Sequence, residues 1–207
     1  MPDPEAVVHR WAFNIQGFRG FSFSKFKQLG TLGGYRKNSP AMDYALDTLP
    51  VMGSGMGRVV FAIGRGKVLK IADETYGFKQ NKIELDAFHK LPKEFLPKLY
   101  DYDKNNPISW LVLEAVQVID DTGFLRSKFN IASKILDDFS REARKTQKPF
   151  SELLAKFEVE PNKLELQLLE SIYKLAKIGA GDLGRLDHWG YTAEKRLVLV
   201  DAGTWGI

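Results

Sequence analysis

The stretch "GSGMGRVVFAIGRGKVLKIA", Gly53 to Ala72, restricts the fold more than any other. Two β-branched and aromatic runs, Arg58–Gly64 and Lys67–Ala72, are separated only by Arg65 and Gly66. Apolar runs joined by so short a glycine-containing turn predict an antiparallel hairpin. In a strand, side chains alternate between faces, so Lys70 points away from its neighbours Leu69 and Ile71. That direction is either solvent or a ligand cleft. "YALDTLPVMG" reads as a helical turn leading into a strand, so Gly53, Gly55 and Gly57 lie between two strands. Glycines there let a backbone approach a ligand closely and turn its amides toward anionic oxygens. The same spacing also serves an ordinary turn.

The hairpin extends into a larger pattern. "YGFKQNKIELDAFHKL" places Phe78, Ile83, Ala87 and Leu91 at helical spacing, beside Leu85 and Phe88, and stops before Pro92. This helix offers Glu84, a carboxylate able to hold Lys70 if that lysine faces a cleft, and otherwise a solvated helix residue. "LPKLYDYDKNNPISWLVLEAV" then reads as strand, polar turn and strand. Met42 to Val116 is therefore expected to form a mostly antiparallel sheet with one inserted helix.

The second half is helical. "GFLRSKFNIASKILDDFSREARKTQ" places Phe129, Ala132, Ile135, Leu136 and Phe139 on one face, and "PFSELLAKF" is a short helix. "NKLELQLLESIYKLAKIG" is strongly amphipathic through Leu164, Leu168, Ile172 and Leu175. Asn162 is its expected N-cap and Gly179 its C-terminal glycine. A Gly- and Asp-rich loop follows, then a closing strand, Arg196 to Val200. The expected division is a basic, aromatic N-terminal arm over 1–45, a sheet lobe over 46–118 and a helical lobe over 119–207. A cleft between the lobes is where a ligand is expected.

The arm is open to three readings. "WAFNIQGFRGFSFSKFKQLGTLGGYRKNSP" is an irregular segment whose aromatics plug into the body, a nucleic-acid surface, or an arm for a partner or a second copy. Arg10, Arg19, Lys25, Lys27, Arg36 and Lys37, with the patch "REARKTQK", motivate the nucleic-acid reading. Composition limits the chemistry. The chain has 207 residues, 44% hydrophobic and 27% charged, with a formal net charge of +4. A phosphorylated ligand suits that charge without being required by it. There are no cysteines, which excludes disulfides, thiolate catalysis and cysteine-bound metals. The first residues lack a signal-peptide pattern, and no run reaches the roughly 18 apolar residues a membrane span needs.

A glycine-rich turn, a strand lysine, a helix glutamate and a strand ending "LVLEAV" together resemble the N-lobe of the protein-kinase-like superfamily. They are not a P-loop, because no Gly-Lys-Ser/Thr opens a helix. The resemblance runs from about Leu49 to Gly203. It implies an α+β two-lobe fold, with an antiparallel sheet N-lobe and a reduced, mainly helical C-lobe. It implies ATP as nucleotide, with Gly53, Gly55 and Gly57 over its phosphates and Lys70, paired to Glu84, reaching them. The backbone from Glu114 to Val116 would hydrogen-bond the adenine edge. In "GAGDLGRLDHWGYTAEKRLVLVDAG", Asp182 matches the catalytic-loop aspartate that acts on the acceptor hydroxyl. Asp201 in "LVDAG" matches the aspartate that holds Mg²⁺, a hard ion that prefers oxygen.

The departures from the family are specific. Asp187 stands five residues after Asp182, where the family has Asn, and His188 follows it. Either one takes the Asn position as a further metal ligand. "AG" replaces the His-Arg before the catalytic aspartate, and no Ala-Pro-Glu follows Asp201. The chain resembles compact phage-encoded kinase-like proteins, which implies a viral or bacterial source, and the lack of cysteines fits a cytoplasmic setting. The resemblance implies a phosphotransferase acting on a protein or small-molecule hydroxyl. The alternatives are a pseudokinase serving as a protein-binding module and, through the arm, a nucleic-acid-binding or assembly protein.

Overall fold

A computed structural model describes residues 20–35, 37–55, 57–105, 107–119, 126–158, 160–180 and 183–200. They form a mixed α+β chain that divides into two units. Unit 1 comprises residues 1–89 and 97–115, and unit 2 comprises 90–96 and 116–207.

Unit 1 is built on an antiparallel sheet. Its strands are β1 (Val51–Gly55), β2 (Arg58–Gly64), β3 (Lys67–Ala72), β4 (Leu99–Tyr102) and β5 (Trp110–Glu114), in the order β1-β2-β3-β5-β4. The expected hairpin is β2–β3, in register Val59↔Ile71 and Phe61↔Leu69. Arg65 (φ 53°) and Gly66 (φ 66°) close it. Two successive left-handed residues twist a two-residue turn to match its strands, and glycine adopts that conformation without a Cβ penalty.

The two faces of the sheet differ. Phe61, Leu69, Ile71, Trp110 and Val112 share one face and belong to a single apolar cluster. That cluster is completed by helices α1 (Phe23–Gly33) and α2 (Pro40–Thr48), which contribute Phe26, Ala41, Met42 and Ala45. Ser22 and Ser39 cap the two helices through their side-chain oxygens. Phe23 meets Trp110 edge-on at 5.2 Å, and Phe26 lies 5.0 Å from Tyr35. From Gly20 onward the anticipated irregular arm is therefore two capped helices over the back of the sheet, because its aromatics have an apolar surface to bury against. The boundary expected at residue 45 falls inside α2. Residues 1–19 lie outside the described part.

The other face carries Arg58, Val60, Lys70 and Ala72, paired Arg58↔Ala72 and Val60↔Lys70. Helix α3 (Thr75–Lys90) turns Gly77, Asn81, Glu84, Leu85 and Ala87 inward. The carbonyl of Gly57 (φ 88°) accepts the Asp73 N–H at 2.9 Å. A Cβ on Gly77 would lie 1.7 Å from that carbonyl oxygen. The β1–β2 turn and the first turn of α3 thus meet backbone to backbone, which only glycine at 77 permits.

Unit 2 holds β6 (Val116–Val118), α4 (Ser133–Lys145), α5 (Phe150–Lys156), α6 (Lys163–Lys177), β7 (Trp189–Thr192) and β8 (Leu197–Leu199). Its sheet runs β6-β7-β8, antiparallel, with Val116↔Thr192 and Gly190↔Val198 paired. Leu136, Phe139, Leu153, Leu168, Ile172 and Leu175 are fully buried. Asn162 caps α6 in a reciprocal box with Glu165. Glu165 also accepts the Asn130 and Ile131 N–H groups. Those bonds hold the chain non-helical there, so α4 starts at Ser133, and Phe129 and Ala132 precede it. The expected boundary at 118 moves to 115, because β6 pairs with β7. The stretch read as a loop contains β7, fixed by the Trp189 Nε1–H bond to the Leu183 carbonyl at 3.0 Å. Among the described residues, no helix is long and apolar enough to cross a membrane.

Gly77→Ala is expected to destabilise the protein in chemical denaturation. Alanine gains about 1 kcal/mol of helix propensity, but overlap with a backbone oxygen forces shifts costing about 1–3 kcal/mol or more. Gly53→Ala, whose Cβ meets nothing within 4 Å, is the control and is expected to leave the midpoint in place.

Candidate functional site

Lys70 and Glu84 meet in unit 1. Lys70 Nζ lies 2.7 Å from Glu84 Oε1. The alternation of β3 sends Lys70 to the face opposite Leu69 and Ile71, and the stripe Gly77, Asn81, Glu84 brings α3 onto that face. A third charge joins them. Arg58 Nη1 lies 2.5 Å from Glu84 Oε2. All three residues are buried, with Arg58 7%, Lys70 6% and Glu84 4% exposed. One carboxylate therefore serves two cations, one through each oxygen. Burying charge is costly unless it is paired and hydrogen-bonded, and here each partner meets that condition.

The glycines divide. Gly57 is accounted for by its contact with Gly77. Gly53 and Gly55 lie on exposed β1, where an added Cβ would meet nothing within 4 Å. Glu114 is buried, and its Oε2 accepts the Lys98 N–H at 3.0 Å. Its own N–H donates to the Lys98 carbonyl, and the Ala115 N–H donates to the Gly66 carbonyl, both at 2.8 Å. Val116 begins β6. Two of the amides expected to face adenine are thus bonded within unit 1.

Asp187 and His188 lie in a short 3₁₀ turn of unit 2, Leu186–His188. Arg185 grips Asp187 with two donors, Nε at 3.0 Å and Nη2 at 2.5 Å. That guanidinium holds the Asp187 carboxyl below the usual carboxylate range. Partial burial opposes the shift, and attraction to His188 reinforces it. His188 is buried, and its carbonyl accepts the Val200 N–H at 2.7 Å. Asp182 and Asp201 lie outside the described residues. Among the described residues, no group of three His, Asp or Glu side chains is placed to hold a metal ion.

Two other surfaces bear on function. A groove of about 910 Å³ in unit 1 is lined by Asp73, Tyr76, Lys79, Lys82, Pro107 and Ile108. It involves none of the residues expected from the sequence. In the N-terminal helices, Lys27 is bound to Asp101 at 2.7 Å and lies 5.0 Å over the Trp110 ring, while Lys25 lies 4.6 Å over Tyr44. The aromatics there are packed among themselves and against the sheet, an arrangement suited to a core rather than to base stacking.

Compared with known proteins, the chain matches no protein-family model and no curated protein sequence.

The residue that sequence reasoning missed is Arg58. Its signal was an arginine opening an otherwise apolar strand. The hairpin register puts Val60 opposite Lys70, and residues two apart share a face, so Arg58 belongs to the lysine's face.

Glu84→Gln is expected to cost about 3–5 kcal/mol in denaturant titration, because it takes from two buried cations the carboxylate they share. Lys70→Met leaves Glu84 its Arg58 partner and is expected to cost less, about 1.5–3 kcal/mol, the worth of one hydrogen bond to a charged group. The reverse order would mean that the three charges are not coupled as described.

The lowered Asp187 titration gives a second expectation. A depressed carboxylate contributes stability above its ordinary range, lost as pH falls through the lowered value. Arg185→Gln is expected to move the Asp187 midpoint up toward that range in an NMR carboxyl titration. An unmoved midpoint would remove Arg185 as the cause.

Proposed function

We propose that the protein is an ATP- and Mg²⁺-dependent, kinase-like phosphotransferase acting on a protein or small-molecule hydroxyl. The observation that carries this reading is the buried 2.7 Å pair of Lys70, on the third strand, with Glu84, on the helix that follows. A glycine-bearing β1–β2 turn precedes it in the same sheet. The order glycine turn, strand lysine, helix glutamate is that of protein kinases, where the pair holds an ammonium on the nucleotide phosphates.

In this reading Lys70 draws charge from the phosphates while Glu84 keeps its ammonium extended. Gly53 and Gly55 give close backbone approach, and the segment Glu114 to Val116 borders the base. Asp182 accepts the proton of the acceptor hydroxyl as its oxygen bonds to the γ-phosphorus and the bond to the ADP oxygen breaks. Asp201, with Asp187 or His188, is the ligand set that the resemblance implies for Mg²⁺. The bound ion supplies neutralisation of phosphate charge. One observation favours a second reading, a pseudokinase that serves as a protein-binding module. Asp187 is already held bidentate by Arg185, which competes with a role as metal ligand.

The test is a thermal shift with and without ATP and Mg²⁺, followed by transfer of labelled γ-phosphate from ATP, read as ADP release and protein labelling. A shift in the wild type, with transfer lost in Asp182→Ala and Asp201→Ala, is expected. A shift without transfer in the wild type would establish the second reading. Neither shift nor transfer would overturn both, and transfer surviving both substitutions would overturn the assignment of the two aspartates.

A further inference from the structure

We infer that Arg58 is a positioning residue for the nucleotide site, acting through Glu84 on Lys70; this rests on the phosphotransferase reading. Arg58 directly follows Gly57 and is therefore tied to the β1–β2 turn. Gly57 is fixed to the segment entering α3 by its carbonyl bond to the Asp73 N–H, and to the first turn of α3 by its contact with Gly77. Arg58 then fixes the same turn to the middle of α3 through Glu84 Oε2 at 2.5 Å. The turn is held to the helix at two points, one of backbone and one of charge.

The consequence for Lys70 follows from the carboxylate's geometry. Glu84 has two oxygens and two cations, and each cation takes one oxygen. While Arg58 holds Oε2, the carboxylate cannot rotate to offer both oxygens to Lys70. Without Arg58, both oxygens are available to the ammonium, which is drawn back toward α3 and away from a phosphate. Arg58 therefore sets how far Lys70 is extended, without itself touching nucleotide. Removing such an influence weakens binding in the ground and transition states alike, which raises KM and leaves kcat nearly unchanged.

Arg58→Gln, Arg58→Lys, Lys70→Met and the double variant Arg58→Gln/Lys70→Met in the full chain provide the test, with Mg·ATP as probe. Arg58→Gln is expected to raise the KM for ATP about tenfold, the scale of one charge-assisted hydrogen bond, with kcat changed less than about twofold. Arg58→Lys keeps a cation on Oε2 and is expected to restore most of the wild-type KM, which also covers the case in which Arg58→Gln does not fold. The double variant is expected to match Lys70→Met alone, because Arg58 acts through Lys70. A fall in kcat that follows the folded fraction, with KM unmoved, would make Arg58 merely structural and overturn the inference. Additive losses in the double variant would also overturn it, since Arg58 would then act independently of Lys70. A wild type with neither Mg·ATP binding nor turnover would overturn the phosphotransferase reading and this inference together. A working wild type with indifferent Arg58 variants would overturn the inference alone.

Discussion

Glu84 bonds two buried cations, one through each carboxylate oxygen, and much of unit 1 is arranged so that it can. Charges at this depth are held in place only if partners meet at hydrogen-bond distance. Three elements must therefore agree in position. The register of β2 against β3 places Arg58 and Lys70 on one face. The inward stripe of α3 carries Glu84 to them. The missing side chain at Gly77 lets α3 approach the β1–β2 turn to backbone contact. A slip of one residue in the hairpin would send Lys70 into the apolar cluster and Leu69 into the charged one.

The opposite face makes that arrangement tolerable. A sheet with charges on one side needs its apolar burial elsewhere, and α1 and α2 provide it. Phe26, Phe61, Leu69 and Ile71 are completely buried there, with Trp110 almost so. At about 25 cal/mol per Å² of apolar surface removed from water, each such side chain contributes roughly 1.5–3 kcal/mol. The N-terminal helices thus belong to the core of unit 1. Their lysines follow the same logic: Lys27 lies along aromatic faces and ends on Asp101, burying its stem while its charge is met at the tip.

Much of this was legible in the sequence, and what was not has physical causes. The β2–β3 hairpin, α3, the β4–β5 pair and α6 with its Asn162 cap follow from period, turn chemistry and capping, which are local properties. The outward direction of Lys70 followed from alternation alone. Helix α1 was not legible because its glycines and aromatics are poor helix formers, and it is held by packing against a sheet far along the chain. β6 and β7 were missed because each is three or four residues long and defined by its partner. At the site, the Lys70–Glu84 pair was expected, but Arg58 was not, because an arginine at a strand end reads as solvated until the partner strand fixes its face. The amides of Glu114 and Ala115 turned out to be bonded to Lys98 and Gly66, partners that only the folded sheet brings near.

The energetics bear on why the cluster is present at all. Replacing a buried ion pair by apolar side chains of similar volume is often neutral or even stabilising. Positions 58, 70 and 84 lie on a sheet face and a helix stripe where leucine or methionine would pack. Stability alone does not call for three charges there. In the phosphotransferase reading proposed above, what the charges add is direction: Glu84 holds the Lys70 ammonium on one oxygen while Arg58 occupies the other. Such preorganisation is wasted in a core but valuable where an anion must be met without further rearrangement. Burial of the three charges and the order of glycine turn, strand lysine and helix glutamate single out the same residue, Lys70.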